Sequence, residues 1–211
     1  AALPSYPKNP EFKSSTVKIW YEKALSFDKL EKYESAIDCY DKVLETESGH
    51  AVVWYMKGLD LEKLGRYEEA IECYERALKL GSGYAKVWYQ KGLDSSKIKE
   101  YNDAVESYDK ALEIDENYTL AWAGKAFALA KLGEYESSLT CYNKVLGAIP
   151  SSAVAWYNKG LALDELGKHE EASECYNQTL LIDPEYSAAR FKLNKNMEQD
   201  STETPVLEHL K

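Results

Sequence analysis

No run of eighteen apolar residues occurs in the 211-residue chain, so nothing in it is expected to span a membrane. No basic, apolar, small-residue leader opens it, and it begins on Ala1, which reads as a processed form or an excised fragment. Positive charge is in short supply: 26 Lys and Arg stand against 36 Asp and Glu, a net charge of −10. That balance removes the electrostatic footprint that nucleic acid or anionic lipid requires. No CxxC or HxxxH pair is present to hold zinc, and neither a Walker nor a dinucleotide glycine loop occurs. The three histidines, His50, His169 and His209, are not set beside a recurrent Ser, Cys or Asp as a nucleophile would need. Carboxylates such as Glu68, Glu69, Glu170 and Glu171 fall on outward helix faces and read as solvated charge. Catalytic residues, a metal and a cofactor are therefore not expected.

What the chain does have is periodic. All five tryptophans, Trp20, Trp54, Trp88, Trp122 and Trp156, stand 34 residues apart. A constant period of this length marks an array of supersecondary units, not a closed globule around one cleft. With each tryptophan set at position 4, the units are 17–50, 51–84, 85–118, 119–152 and 153–186. Position 8 is always small (Ala24, Gly58, Gly92, Ala126, Gly160). Position 17 is Tyr33, Tyr67, Tyr101, Tyr135 and His169, and position 20 is Ala36, Ala70, Ala104, Ser138 and Ala172. Position 24 is tyrosine throughout: Tyr40, Tyr74, Tyr108, Tyr142 and Tyr176.

Val53, Trp54, Gly58, Leu61 and Leu64 recur at the spacing of a helical face, and Tyr67, Ala70, Ile71, Tyr74, Ala77 and Leu78 form a second one. Gly65, Gly133 and Gly167 mark the turn between them at position 15, where Glu31 and Lys99 stand in the first and third units. Small residues at 8 and 20 let two antiparallel helices approach while the aromatics at 4, 17 and 24 fill the space beside them. Pro150 and Pro184 end their units because proline cannot continue a helix.

This pattern closely resembles the tetratricopeptide repeat over residues 17–186, in the Tyr- and Lys-rich style of prokaryotic and archaeal members. The resemblance implies an all-α, right-handed α-solenoid of five helix-turn-helix repeats. Position 7 departs from the family: leucine there is replaced by Lys23, Lys57, Lys91, Lys125 and Lys159, whose stems are expected to lie along the interface with the ammonium outward. Cys39, Cys73, Cys141 and Cys175 all occupy position 23. Equivalent residues of neighbouring units should lie about 8–10 Å apart, too far for a disulfide, so four free thiols and a reducing, cytoplasmic setting are expected.

The ends leave the lattice. Residues 1–16 carry Pro4, Pro7 and Pro10 and read as an extended arm, either an unstructured leader or a segment that docks on a partner or neighbouring molecule. Residues 187–199, with Ala189, Leu193 and Met197 on one stripe, read as a capping helix, and 200–211 as a flexible tail.

The resemblance places the ligand groove on helix-A positions 2, 5, 9, 12 and 13. There the chain offers Tyr21, Tyr55, Tyr89 and Tyr157 at position 5, Leu25, Leu59, Leu93, Phe127 and Leu161 at position 9, and Lys86 at position 2. Position 13 is a row of lysines, Lys29, Lys63, Lys97 and Lys131, closed by Glu165. Tyrosine offers a large rigid face at small entropic cost, so the expected partner is a protein or peptide segment with apolar or aromatic anchors. Members that bind the acidic tails of heat-shock chaperones clamp the terminal carboxylate with residues from three units. The clamp takes lysine and asparagine at positions 5 and 9 of one unit, asparagine at position 6 of the next, and lysine and arginine at positions 2 and 6 of the third. Starting at the first unit the chain has Tyr21, Leu25, Met56, Lys86 and Gln90 in those places, and only Lys86 fits. The expected function is a non-catalytic protein-binding scaffold without that clamp. The alternative is a self-assembling protein whose arm or tail fills a neighbour's groove.

Overall fold

The computed structural model describes residues 10–81 and 84–203. Within them are eleven α-helices and no strand: α1 (Ser15–Lys29), α2 (Tyr33–Thr46), α3 (Ala51–Lys63), α4 (Tyr67–Leu80), α5 (Ala85–Lys97), α6 (Tyr101–Ile114), α7 (Thr119–Lys131), α8 (Tyr135–Ala148), α9 (Ala153–Glu165), α10 (His169–Ile182) and α11 (Ser187–Glu203). Two compact units are present, one ending at Gly124 and one starting at Lys125 inside α7. In each unit consecutive helices pack on one another, α1 through α6 in the first and α8 through α11 in the second. The 34-residue period is thus two helices of 13 to 15 residues and two short turns.

The pairing follows from the lattice residues. The position-24 tyrosines are interior, with Tyr40, Tyr74 and Tyr176 at 0 % exposure, and each ring lies where helix A is small. A Cβ added at Gly58 would stand 2.5 Å from Tyr74 Cε1, and one at Gly160 would stand 2.6 Å from Tyr176 Cε1. The tryptophans are half-buried, and three of them tie their helix to the loop before it. Their indole N–H groups donate six residues back, from Trp54 to Ser48 O at 3.0 Å, Trp122 to Glu116 O at 2.8 Å and Trp156 to Pro150 O at 2.9 Å.

Position 15 adopts one conformation whatever its residue. Gly65, Gly133 and Gly167 have φ of 73–82°, and Glu31 and Lys99 take φ of 57° and 67°. This left-handed residue lets the next amide reach five residues back, as Arg66 N to Leu61 O and Glu100 N to Ser95 O do. The position-7 lysines go beyond covering an interface: Lys57 Nζ meets Asp41 at 2.5 Å and Lys91 Nζ meets Glu75 at 2.8 Å, each an acid of the preceding repeat. The four cysteines are buried and form no disulfide with one another. Burial pushes the Cys73 and Cys175 thiols up to about 11.

Both ends differ from the sequence expectation. Residues 1–9 and 204–211, with most of the arm and tail, lie outside the described residues, as do Ser82 and Gly83. Residues 10–14 precede α1 and fold against the first repeat. The Phe12 ring sits 5.1 Å from Tyr21 and 4.7 Å from His50, while the Lys13 and Ser14 amides both donate to Glu47 Oε1 at 3.1 Å. At the other end α11 continues four residues past 199, to Glu203. It is more than a cover, because it keeps the register of a sixth helix A. Ala189 is buried like Val53 at position 3, and Arg190, in the tryptophan place, donates to Pro184 O.

Candidate peptide-binding surface

Helix A presents positions 2, 5, 9, 12 and 13 along one face, and exposure along it is uneven. In the first unit Tyr21 and Tyr55 are only 4 % exposed, which corrects their assignment as contact residues. Each ring packs on the position-24 tyrosine of its own repeat, at 6.2 Å for Tyr21 on Tyr40 and 6.0 Å for Tyr55 on Tyr74. Phe12 covers Tyr21, and Tyr84 packs in the cluster around Tyr55. Tyr89 keeps part of its face open between Tyr108 and Tyr118, and Leu25, Leu59 and Leu93 are half-buried. Lys86 is exposed. In the second unit Tyr157 and Leu161 are half-buried and Phe127 is 41 % exposed.

Behind this face lies a feature that sequence reasoning missed. Position 10 carries Asp60 and Asp94, which are 2 % and 0 % exposed, not solvated surface charge. Glu68, Glu69, Glu170 and Glu171 do stand in solvent as expected. Each buried aspartate faces the position-12 acid of the preceding repeat, Asp28 for Asp60 and Glu62 for Asp94. Burial first, then the Asp28 charge and hydrogen bond, pushes the Asp60 carboxyl up to about 8. Burial and Glu62 push Asp94 up to about 7 against the pull of Lys97. Lys97 Nζ joins the two acids, 2.8 Å from Glu62 and 3.1 Å from Asp94, and Gln90 Nε2 donates to Glu62 at 2.6 Å.

The second unit repeats this junction between α9 and α11 with different chemistry. Asp164, at position 12, accepts from the Tyr176 hydroxyl at 2.6 Å and from Asn196 Nδ2 at 2.8 Å, and Lys192 lies 3.7 Å away. Asn196 and Lys192 occupy positions 10 and 6 of the sixth helix A. Burial acts to raise Asp164, but these donors and His169 outweigh it and hold the carboxyl below its ordinary value. His169 Nδ1 lies 3.2 Å from Asp164, so the histidine at position 17 serves the helix junction. A reading down column 10 (Ser26, Asp60, Asp94, Ala128, Ala162) would have exposed the pattern, since it sets two acids in a column of small residues.

Among the described residues no cluster of His, Cys, Asp or Glu could hold a metal ion, and no helix is long and apolar enough to cross a membrane. The surface offers apolar faces, hydroxyls, amides and paired charges, which suit recognition.

Several solved structures share this fold. YrrB, whose structure is described as a TPR protein with an unusual peptide-binding site, aligns with a TM-score of 0.76 at 27 % identity, covering 82 % of this chain and 89 % of that one. A MamA structure gives a TM-score of 0.76 at 20 % identity over 92 % of this chain and 98 % of its own. MamA from Desulfovibrio magneticus RS-1, residue 41 to its end, gives 0.78 at 18 % identity over 83 % and 99 %. At such identity the MamA likeness concerns the fold alone. No curated protein matches the chain. The tetratricopeptide repeat family profile matches residues 17–50, 51–84, 85–118 and 153–186, and a second tetratricopeptide repeat profile matches 120–152. These matches cover most of the chain, and the chain, an all-α repeat fold of the solenoid class, belongs to the tetratricopeptide repeat family.

Proposed function

We propose that this protein is a non-catalytic scaffold that binds a protein or peptide segment on the helix-A face. The observation that carries the reading is the accessible apolar register: Leu93 and Tyr89 in the first unit and Phe127, Tyr157 and Leu161 in the second keep part of their surface open. Large apolar side chains left open at a fixed repeat position are what a binding face requires and what stability alone would bury. YrrB, at 27 % identity, is described as having a peptide-binding site, which supports the same use of the fold. The test is a partner identified by capture from the source lysate, followed by its affinity for single variants. Leu93→Lys and Leu161→Lys should each weaken binding about tenfold or more, the hot-spot range. Unchanged affinity in both variants, with helicity retained, overturns the assignment of this face.

The second reading is self-association through the arm. It draws on Phe12, an aromatic side chain from an extended segment seated on a repeat's own position-5 tyrosine. A neighbouring molecule's arm seated in the same manner would join copies. Light scattering over a hundredfold concentration range, with Phe12→Ala beside the wild type, tests it. A particle size that ignores both concentration and the substitution ends that reading.

A further inference from the structure

In α3, α5, α9 and α11, one face of helix A packs on the helix B before it, and α1 carries the same face uncovered. Its residues stand at positions 3, 4, 7, 11 and 14: Ile19, Trp20, Lys23, Phe27 and Leu30. At position 3, Val53, Val87, Ala155 and Ala189 are buried, whereas Ile19 is 62 % exposed. At position 14, Leu64 and Ile98 are half-buried, whereas Leu30 is 64 % exposed. Lys23 is exposed, with its ammonium 4.9 Å from the Trp20 ring centre and 5.6 Å from that of Phe27. Of the acids in the recess beside it, Asp41 pairs with Lys57 and Glu45 with Lys42, and the exposed Asp38 makes no ion pair with Lys23. The end of a stacked array needs a polar outer face, and this one is apolar around an unpaired cation.

The covered junctions show what such a face receives. Positions 21, 25 and 28 of helix B meet positions 11, 7 and 4 of the next helix A. At the first junction Ile37 shares a core cluster with Leu61, Asp41 pairs with Lys57 at 2.5 Å, and Trp54 packs on the cluster that holds Leu44. At the second, Glu75 meets Lys91 at 2.8 Å and Leu78 lines one recess with Trp88. The incoming stripe is thus an apolar residue, a carboxylate four residues on and a leucine three further, which share one side of a helix. The chain's own segments do not offer that stripe to α1. Residues 10–14 turn instead to Tyr21, His50 and Glu47, and Trp20 makes no indole-to-loop bond among the described residues such as Trp54, Trp122 and Trp156 make. Residues 1–9 contain neither Asp nor Glu. In α2, α4 and α6 the stripe's leucines, Leu44, Leu78 and Leu112, are already buried, and in α8 and α10 position 25 is Asn143 and Asn177. Two copies joined through this face would set Lys23 against Lys23.

We infer that the leading face of α1 is a second docking surface, which receives an amphipathic helix of another protein. That helix carries a carboxylate between two apolar residues of one stripe. The carboxylate meets Lys23, one apolar residue packs on Phe27, and the other packs on Trp20 beside Ile19. Charge complementarity and continuity with the stacking of the repeats select this occupant. The surface lies apart from the position-5 and position-9 register, so it adds to the scaffold reading and does not depend on it.

The probe is a peptide with the sequence of residues 67–80 and Cys73→Ser, held helical by a hydrocarbon staple between places 72 and 76, which are exposed in α4. Its Glu75 is the carboxylate that meets Lys91 within the protein. The full chain is labelled at its indole nitrogens and followed by NMR, with the Trp20 signal identified by its loss in Trp20→Phe. That signal should shift saturably with the peptide while that of Trp122 stays in place. Lys23→Glu should weaken binding about tenfold, and so should Glu75→Lys in the peptide, whereas the two reversed partners together should recover most of the affinity. Ile19→Ser should weaken binding about fivefold with the melting temperature unchanged, because the side chain stands in solvent until the helix docks. No Trp20 shift, or a reversed pair that binds no better than either single reversal, overturns the surface. A Trp20 signal that moves with protein concentration alone, and no longer does so in Ile19→Ser, gives the face to a second copy. One that moves without peptide when Leu3→Ser and Tyr6→Ser are combined gives it to residues 1–9. Either result overturns the partner helix.

Discussion

Replacing Asp60 by asparagine isolates the charge buried in the first unit. Asp60 is 2 % exposed and its Oδ2 meets no donor among the described residues, while Asp28 opposes ionisation from the adjoining repeat. The folded carboxyl titrates near 8, against about 3.9 in an unfolded chain. Between those values the folded protein holds a proton that the unfolded chain has released, so stability falls as pH rises. The contribution is full below about pH 4 and gone above about pH 8. At about 1.4 kcal/mol per pH unit, the loss over the interval is at most about 6 kcal/mol for this group. Asp94, near 7, adds a decline of the same sign that ends about one pH unit earlier.

Asparagine at position 10 is already tested by the fold, since Asn196 donates to Asp164 at 2.8 Å in the equivalent place. Asp60→Asn should donate to Asp28 likewise and need no proton. The assay is urea unfolding followed by far-ultraviolet circular dichroism at about pH 5, 6.5 and 8 in constant salt. Wild-type stability should decline across the series, and Asp60→Asn should gain on it by about 2–4 kcal/mol between the two ends. Asp60→Asn with Asp94→Asn should flatten the curve further. A wild-type profile that is level or rising across the series, or a double variant that keeps the wild-type slope, refutes the account of buried protonated carboxyls.

Other expectations are more local. Lys99→Gly relieves a left-handed lysine at φ 67° and should raise stability by about 0.5–1 kcal/mol in thermal unfolding, whereas Gly65→Ala, at φ 75°, should lower it by about 1 kcal/mol. Asp164→Ala strips the acceptor from Tyr176 and Asn196 and should cost about 3 kcal/mol or more, with faster amide exchange in α11 as its signature. Because its carboxyl is held low, the Asp164 contribution is present at neutral pH and fades as pH falls through the acid range, opposite in sign to Asp60. The four thiols should resist a disulfide reagent in the folded state and react fully in urea, because they are buried and two titrate near 11.

The helix pairs were legible in the sequence because each rests on a side chain whose burial recurs every 34 residues, as Tyr40 and Tyr74 do. What a position exposes is less legible. Tyr55 and Tyr89 share one column and each has a tyrosine from the end of its repeat beside it, Tyr84 and Tyr118, yet only Tyr89 retains open surface, a difference that the column itself does not carry. Phe12 belongs to no column, so the period carried no information about where it packs. Asp60 and Asp94 were hidden for another reason: a charged residue reads as surface unless the small residues elsewhere in its column betray an interior position.

Arg190 carries a consequence for how the array is punctuated. It preserves the tether to the loop before it, to Pro184 O, that tryptophan supplies elsewhere, while replacing a flat apolar surface with a hydrated cation. The tether therefore asks for a side-chain N–H donor of sufficient reach at this place and not for an indole as such, and Arg190→Trp should keep α11 docked on the fifth repeat through the same carbonyl.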